Sequence, residues 1–82
     1  MVIIAYEPSF EKKVQKIKDQ LVHSKVKKHI AKIVLDPEMG KPMRFTRKGT
    51  REVYVPPFRL SYLYLKEEDK IVFLDLYHKD EQ

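Results

Sequence analysis

The chain lacks cysteine, tryptophan and asparagine, and it has only two glycines in 82 residues. Without cysteine there is neither a disulfide scaffold nor a thiolate metal site, so the chain can work in a reducing cytoplasm. Three histidines remain, too few for a structural zinc when no thiolate can join them. His23 and His29 are six residues apart, a spacing that does not set two ligands over one another on a helix. No metal or cofactor is therefore expected. Long apolar runs are also missing: "MVIIAYEP" holds four apolar residues after Met1 and no basic flank, which predicts neither a signal peptide nor a membrane span. The length leaves room for one core, so a single domain over 1–82 is expected. The lack of asparagine, with 35% of residues charged, leans toward a heat-tolerant source.

Positive charge is present in excess and is unevenly placed. The net charge is +5. Residues 9–34 carry eight lysines against Glu11 and Asp19, and residues 41–59 carry six basic side chains against Glu52 alone. Residues 60–82 are acidic on balance. Such a field favours polyanions, either nucleic acid or a ribosomal surface, or an acidic protein partner.

Periodicity divides the chain. "VIIAY" (2–6) is β-branched and apolar, and predicts a buried strand. Pro8-Ser9 ends it, with Ser9 as helix cap, and Phe10, Val14, Ile17 and Leu21 then recur at spacings of four, three and four. The pattern resets at "VHSK", where Ser24 is the expected cap of a second helix with Val26, Ile30, Ile33 and Val34 on its apolar side. Asp36-Pro37 stops that helix, because a residue before proline avoids helical dihedrals. "DPEMGKPMRFTRKGT" has no helical period and reads as a connection with a short strand at 43–46. Strands come next at 51–55, 59–65 and 70–78, with Pro56-Pro57 as a stiff link between the first two and "KEED" as the turn between the last two.

The order β-α-α-β-β-β predicts a two-layer α+β fold, an αα-hairpin on one face of a mixed, mainly antiparallel sheet. In 59–65, Arg59, Ser61, Leu63 and Leu65 share one face, and Leu60, Tyr62 and Tyr64 the other. Both carry apolar atoms. One is expected under the helices, and the other as an aromatic-lined surface open to solvent or to a partner.

This organisation resembles the RelE/ParE superfamily of type II toxins. "PEMGKPMRFTRKGTREVYV" is similar to the family's proline–glycine–lysine–proline approach to the sheet, and "PFRLSYLYLKEEDKIVFLDLYHKDEQ" to its aromatic-Arg strand, charged turn and final strand with a basic end. The resemblance implies a ribosome-dependent mRNA endonuclease in the cytoplasm, held inactive by a cognate antitoxin protein. The ParE branch implies instead a toxin that inhibits DNA gyrase and is no nuclease. A catalytically decayed RNA-binding member is the third alternative. Arg59 matches the arginine that follows an aromatic residue on the family's third sheet strand. Lys79 and His78 match a basic residue and a histidine that members carry after the last strand, and Arg44 matches one in the connecting segment. Two departures stand against this pattern: Glu52 and Tyr54 lie where nucleases of the RelE type often have lysines, and the C-terminal tyrosine of some members has no counterpart.

Metal-free RNA cleavage needs the 2′-hydroxyl deprotonated, the phosphoryl charge neutralised and the 5′-oxygen protonated. Arg59 suits the second task, since a guanidinium stays charged and forks onto two phosphate oxygens. His78 suits acid or base duty, because an ordinary imidazole titrates near neutrality. Lys79 can stabilise charge. Tyr54, Phe45 and Tyr77 can stack on unpaired bases, while Arg44, Arg47, Lys48 and Arg51 hold phosphates. Each has a plainer reading: Arg59 as a salt bridge to Asp75 across the hairpin, His78 and Lys79 as surface residues, the tyrosines as sheet packing.

Overall fold

In the computed structural model, which describes residues 2–42 and 49–78, the first apolar segment forms β1 (Ile3–Tyr6) at an edge of the sheet rather than inside it. Ile3, Ile4 and Tyr6 accordingly stay 56%, 38% and 43% exposed. The expected burial fails because the strand has one neighbour among the described residues, β5 (Lys70–His78), which it joins in parallel. Next come β4 (Phe58–Leu65), β3 (Thr50–Val55) and β2 (Lys41–Pro42), all antiparallel, so the sheet order is β1-β5-β4-β3-β2. The predicted architecture, a helical hairpin on one face of a mixed, mainly antiparallel sheet, is the observed one, and β2 adds a fifth strand to the predicted four. The short strand expected at 43–46 lies outside the described residues.

The helical hairpin breaks earlier than the apolar pattern predicts. Helix α1 spans Pro8–Gln15 and α2 spans Gln20–Leu35. Asp19 caps α2: its carboxylate accepts from the backbone N–H of Leu21 at 2.9 Å and of Val22 at 3.5 Å. A carboxylate at this position satisfies orphan donors and complements the helix dipole, which outweighs the weaker Ser24 hydroxyl further on, now inside the helix. Leu21, expected on the apolar stripe of the first helix, is consequently 76% exposed. Ser9 does not cap α1 either, since Glu7 holds that position and the Ser9 hydroxyl donates to the carbonyl of Leu74 at 3.1 Å, tying the helix to β5. The stop at Asp36-Pro37 is where the sequence predicts it.

The helices cover the face that carries Leu60 and Tyr62. These two, with Phe10, Val26, Ile33, Val55, Ile71, Phe73 and Leu76, form the core, each at most 2% exposed. Tyr6 closes its β1 end by stacking on Phe73, with ring centroids 5.3 Å apart. Between Ser61 and Tyr62 the β4–β5 register shifts, because Asp75 faces Ser61 and Phe73 faces Tyr62, leaving Leu74 as an extra residue. Such a bulge bends the strand and re-aims the side chains beyond it. Gly49, at φ +86°, turns the chain into β3 in a conformation that favours glycine.

Candidate functional site

Pro56 and Pro57 form the two-residue link between β3 and β4, joined by a cis peptide bond. This short link sets Tyr54 opposite Arg59, and the next pairing sets Arg59 opposite Tyr77. Directly opposed residues in an antiparallel pair point to the same face, and Glu52 joins them by the two-residue period of β3. The four side chains therefore meet on the face that the helices leave open. One guanidinium nitrogen of Arg59 (Nη1) donates to Oε1 of Glu52 at 3.0 Å, and the Tyr77 hydroxyl donates to Oε2 of the same carboxylate. The guanidinium carbon of Arg59 lies 5.8 Å from the ring centroid of Tyr54, within cation–π range.

Burial separates the two charges. The Glu52 side chain is 8% exposed and that of Arg59 34%, so the carboxylate is the floor of the site and the guanidinium its wall. A carboxylate this deep is tolerated because both oxygens accept a hydrogen bond, one of them charge-assisted. The Arg59 Nε–H, by contrast, is buried with no hydrogen-bond partner among the described residues. A donor in that state gains from an incoming acceptor. The cluster thus combines a proton acceptor, a cation with an unmatched donor, a phenolic hydroxyl and an exposed aromatic ring.

Of the residues singled out in the sequence, Arg59 and Tyr54 meet here. Tyr77, expected to offer its ring for stacking, comes with them, and its hydroxyl is the part that touches the cluster. Glu52 stood only as a departure from pattern. The signal for its contact lay in its position: it is the single acid of 41–59, and a two-residue link folds it back toward Arg59. The alternative pair of Arg59 with Asp75 does not form. Asp75 lies beside the bulge, past the last β5 residue paired with β1, and its carboxylate meets Lys13 of α1 at 2.9 Å instead.

The other candidates are placed elsewhere. His78 pairs with Phe58 and meets its ring edge-to-face at 5.9 Å. Both line a groove of about 240 Å³ with Lys13, Lys16, Ile17 and Leu76, on the helix side of the sheet, so the structure does not bring the His78 ring to the Arg59 cluster. Arg51 points to the helix side as well, with one nitrogen donating to the carbonyls of Glu38 at 3.0 Å and Gly40 at 2.8 Å. It holds the chain between α2 and β2 in place together with Tyr62. The Tyr62 hydroxyl donates to the Pro37 carbonyl at 2.8 Å and accepts from the Gly40 N–H at 3.0 Å. Burial pushes the Tyr62 pKa above its ordinary value, an effect partly offset by the Gly40 N–H. A Cβ on Gly40 would lie 2.5 Å from that hydroxyl, so the contact needs glycine. Arg44, Arg47, Lys48 and Lys79 lie outside the described residues.

No helix among the described residues is long and apolar enough to cross a membrane. Comparison with known proteins agrees with the architecture. A family model described as the ParE toxin of type II toxin–antitoxin systems, parDE, matches residues 4–82. A chain in the crystal structure of the intact E. coli RelBE toxin–antitoxin complex superposes with a TM-score of 0.81 at 14% identity, with all of both chains covered. A YoeB/ParE toxin from Agrobacterium tumefaciens gives 0.82 at 12% identity, over 94% of this chain and 98% of that one. A chain of the archaeal RelE–RelB complex from Pyrococcus horikoshii gives 0.77 at 11% identity, over 99% and 98%. At such identities the likeness is one of fold. No curated protein matches the chain in sequence.

Proposed function

The chain belongs to the RelE/ParE superfamily of type II toxins, and from that premise we propose that it is an mRNA endonuclease that acts at the ribosome by metal-free attack of the RNA 2′-hydroxyl. The observation that carries this reading is the Glu52–Arg59–Tyr77 cluster, with an Arg59 Nε–H unmatched among the described residues, on an open face beside the exposed Tyr54 ring. A base stacks on Tyr54. Arg59 turns from Glu52 to the scissile phosphate, where Nε and a terminal nitrogen hold two oxygens and neutralise the charge that grows as the phosphorus is attacked.

Glu52, released from Arg59, takes the proton from the 2′-hydroxyl. The 2′-oxygen bonds to phosphorus, the bond to the 5′-oxygen breaks, and that oxygen takes a proton from the Tyr77 hydroxyl, which regains one from Glu52. The products are a 2′,3′-cyclic phosphate and a free 5′-hydroxyl. Holding further phosphates by Arg44, Arg47 and Lys48, and charge stabilisation by Lys79, belong to the same proposal and rest on the sequence alone. No metal or cofactor enters it. In the cell a cognate antitoxin protein holds the toxin inactive, a partner supported by relatives solved as toxin–antitoxin complexes.

One observation favours a second reading. Glu52 neutralises Arg59 as the chain stands, which suits a ParE-like toxin that binds DNA gyrase and cuts nothing, or a decayed RNA-binding member. Expressing the chain without its antitoxin separates these readings. The nuclease reading expects growth arrest with cuts inside translated mRNA that end in cyclic phosphate. Arrest with intact mRNA and a DNA-damage response would replace it with gyrase inhibition.

A further inference from the structure

Phe58 and Arg59 are consecutive on a strand, so their side chains leave opposite faces of the sheet at the same end. Arg59 enters the cluster on the open face. Phe58 enters the groove on the helix side, where Leu76 and Ile17 complete an apolar floor and Lys13, Lys16 and His78 stand at its margin. Its volume of about 240 Å³ is below the range of drug-sized sites, roughly 300–1,000 Å³, and suits one small ligand. Lys16 is exposed and has no ion-pair partner among the described residues. Lys13 holds the half-exposed Asp75, a contact that an anion can replace at little cost. An aromatic ring beside one ammonium group that is unpaired among the described residues, and a second whose partner is half-exposed, is the chemistry that holds a nucleotide, with its base on the Phe58 ring and its phosphate on the ammonium groups.

We infer that this groove is a second nucleotide subsite, which takes a neighbouring nucleotide of the RNA strand held at Arg59. The inference rests on the nuclease reading for its choice of ligand. The strand passes over the rim at Pro56-Pro57, with one nucleotide on the Tyr54–Arg59 face and another on the Phe58–Lys16 face. The rim then fixes the path of the RNA, and the sheet end works as a ridge that separates two bases which would otherwise stack.

The test uses the whole chain and adenosine 5′-monophosphate as probe, with adenosine and inorganic phosphate as controls, followed by NMR of the Phe58 and His78 ring protons and the Lys16 amide. The monophosphate is expected to shift all three, each control to bind at least about ten-fold more weakly, and Lys16→Glu to abolish the shifts in a chain whose circular dichroism is unchanged. For a 2′-deoxy-blocked single strand, the Lys13→Ala/Lys16→Ala double variant lowers the slope of log affinity on log salt by about 0.7, the value for one phosphate contact. Shifts confined to Tyr54 and Arg59 would overturn the groove as a subsite and leave the nuclease reading standing. Inorganic phosphate binding as tightly as the nucleotide would overturn its ligand class. Groove shifts in a chain that cuts no mRNA would uphold the subsite while removing the nuclease.

Discussion

Glu52 is held by two donors, the Arg59 guanidinium and the Tyr77 hydroxyl, and one substitution separates its duties. As a general base it contributes a rate factor of about 10² to 10⁴. As a mere counter-ion it holds Arg59 away from phosphate. Glu52→Gln keeps the shape and the acceptor oxygen, so single-turnover cleavage is expected to fall at least about 100-fold while the affinity for RNA rises or holds. Unchanged cleavage would reduce Glu52 to a structural support for Arg59. Tyr62 makes a second, independent prediction. Its hydroxyl answers both the Gly40 N–H and the Pro37 carbonyl, so Tyr62→Phe leaves polar groups unpaired and lowers the unfolding free energy by about 1–3 kcal/mol in urea titrations. Because burial raises the Tyr62 pKa in the fold, the unfolded chain loses that proton first as pH rises. The stability from the neutral phenol is thus whole below the ordinary tyrosine value of about 10 and declines above it. Tyr62→Phe removes that alkaline decline.

Among the elements, the helical hairpin shows how local signals compete. Asp19 and Ser24 are both competent caps, and the carboxylate sets the start of α2. Asp19→Ala is expected to lower stability by about 1 kcal/mol, read from the midpoint of thermal or urea unfolding, whereas Ser24→Ala, inside the helix, raises or keeps it. The apolar stripe Phe10-Val14-Ile17-Leu21 misled because three of its four members do pack: Phe10 is in the core, and Val14 and Ile17 lie against it. Only Leu21 belongs to the next helix. On the strands, alternation was legible in β4, which placed Arg59 and Ser61 on the face opposite Leu60 and Tyr62. It was less so in β5, where Asp75 lies at the bulge and past the last residue paired with β1, and meets Lys13. A bulge leaves no mark in an alternating apolar pattern, so the partner of Arg59 was not readable there.

For the whole molecule, the sheet has one covered face, one open face and an apolar edge. That edge, β1, exposes Ile3 and Ile4 beside backbone groups with no further strand to pair with among the described residues, a surface on which chains associate. The isolated chain is expected to self-associate as its concentration rises in sedimentation velocity, and Ile3→Lys to reduce this by charging the edge. The sequence by itself determined the strand, the helix pair and the later strands in their order, the stop at Asp36-Pro37, the links between the last three strands and the family, because these depend on spacings within a few residues. Only the tertiary structure decided that Glu52 rather than Asp75 meets Arg59, that Tyr77 joins them and that His78 falls on the other side of the sheet. These outcomes depend on register and on a bulge between strands distant along the chain, where alternatives differ by one residue of shift and the packing of the whole sheet selects between them.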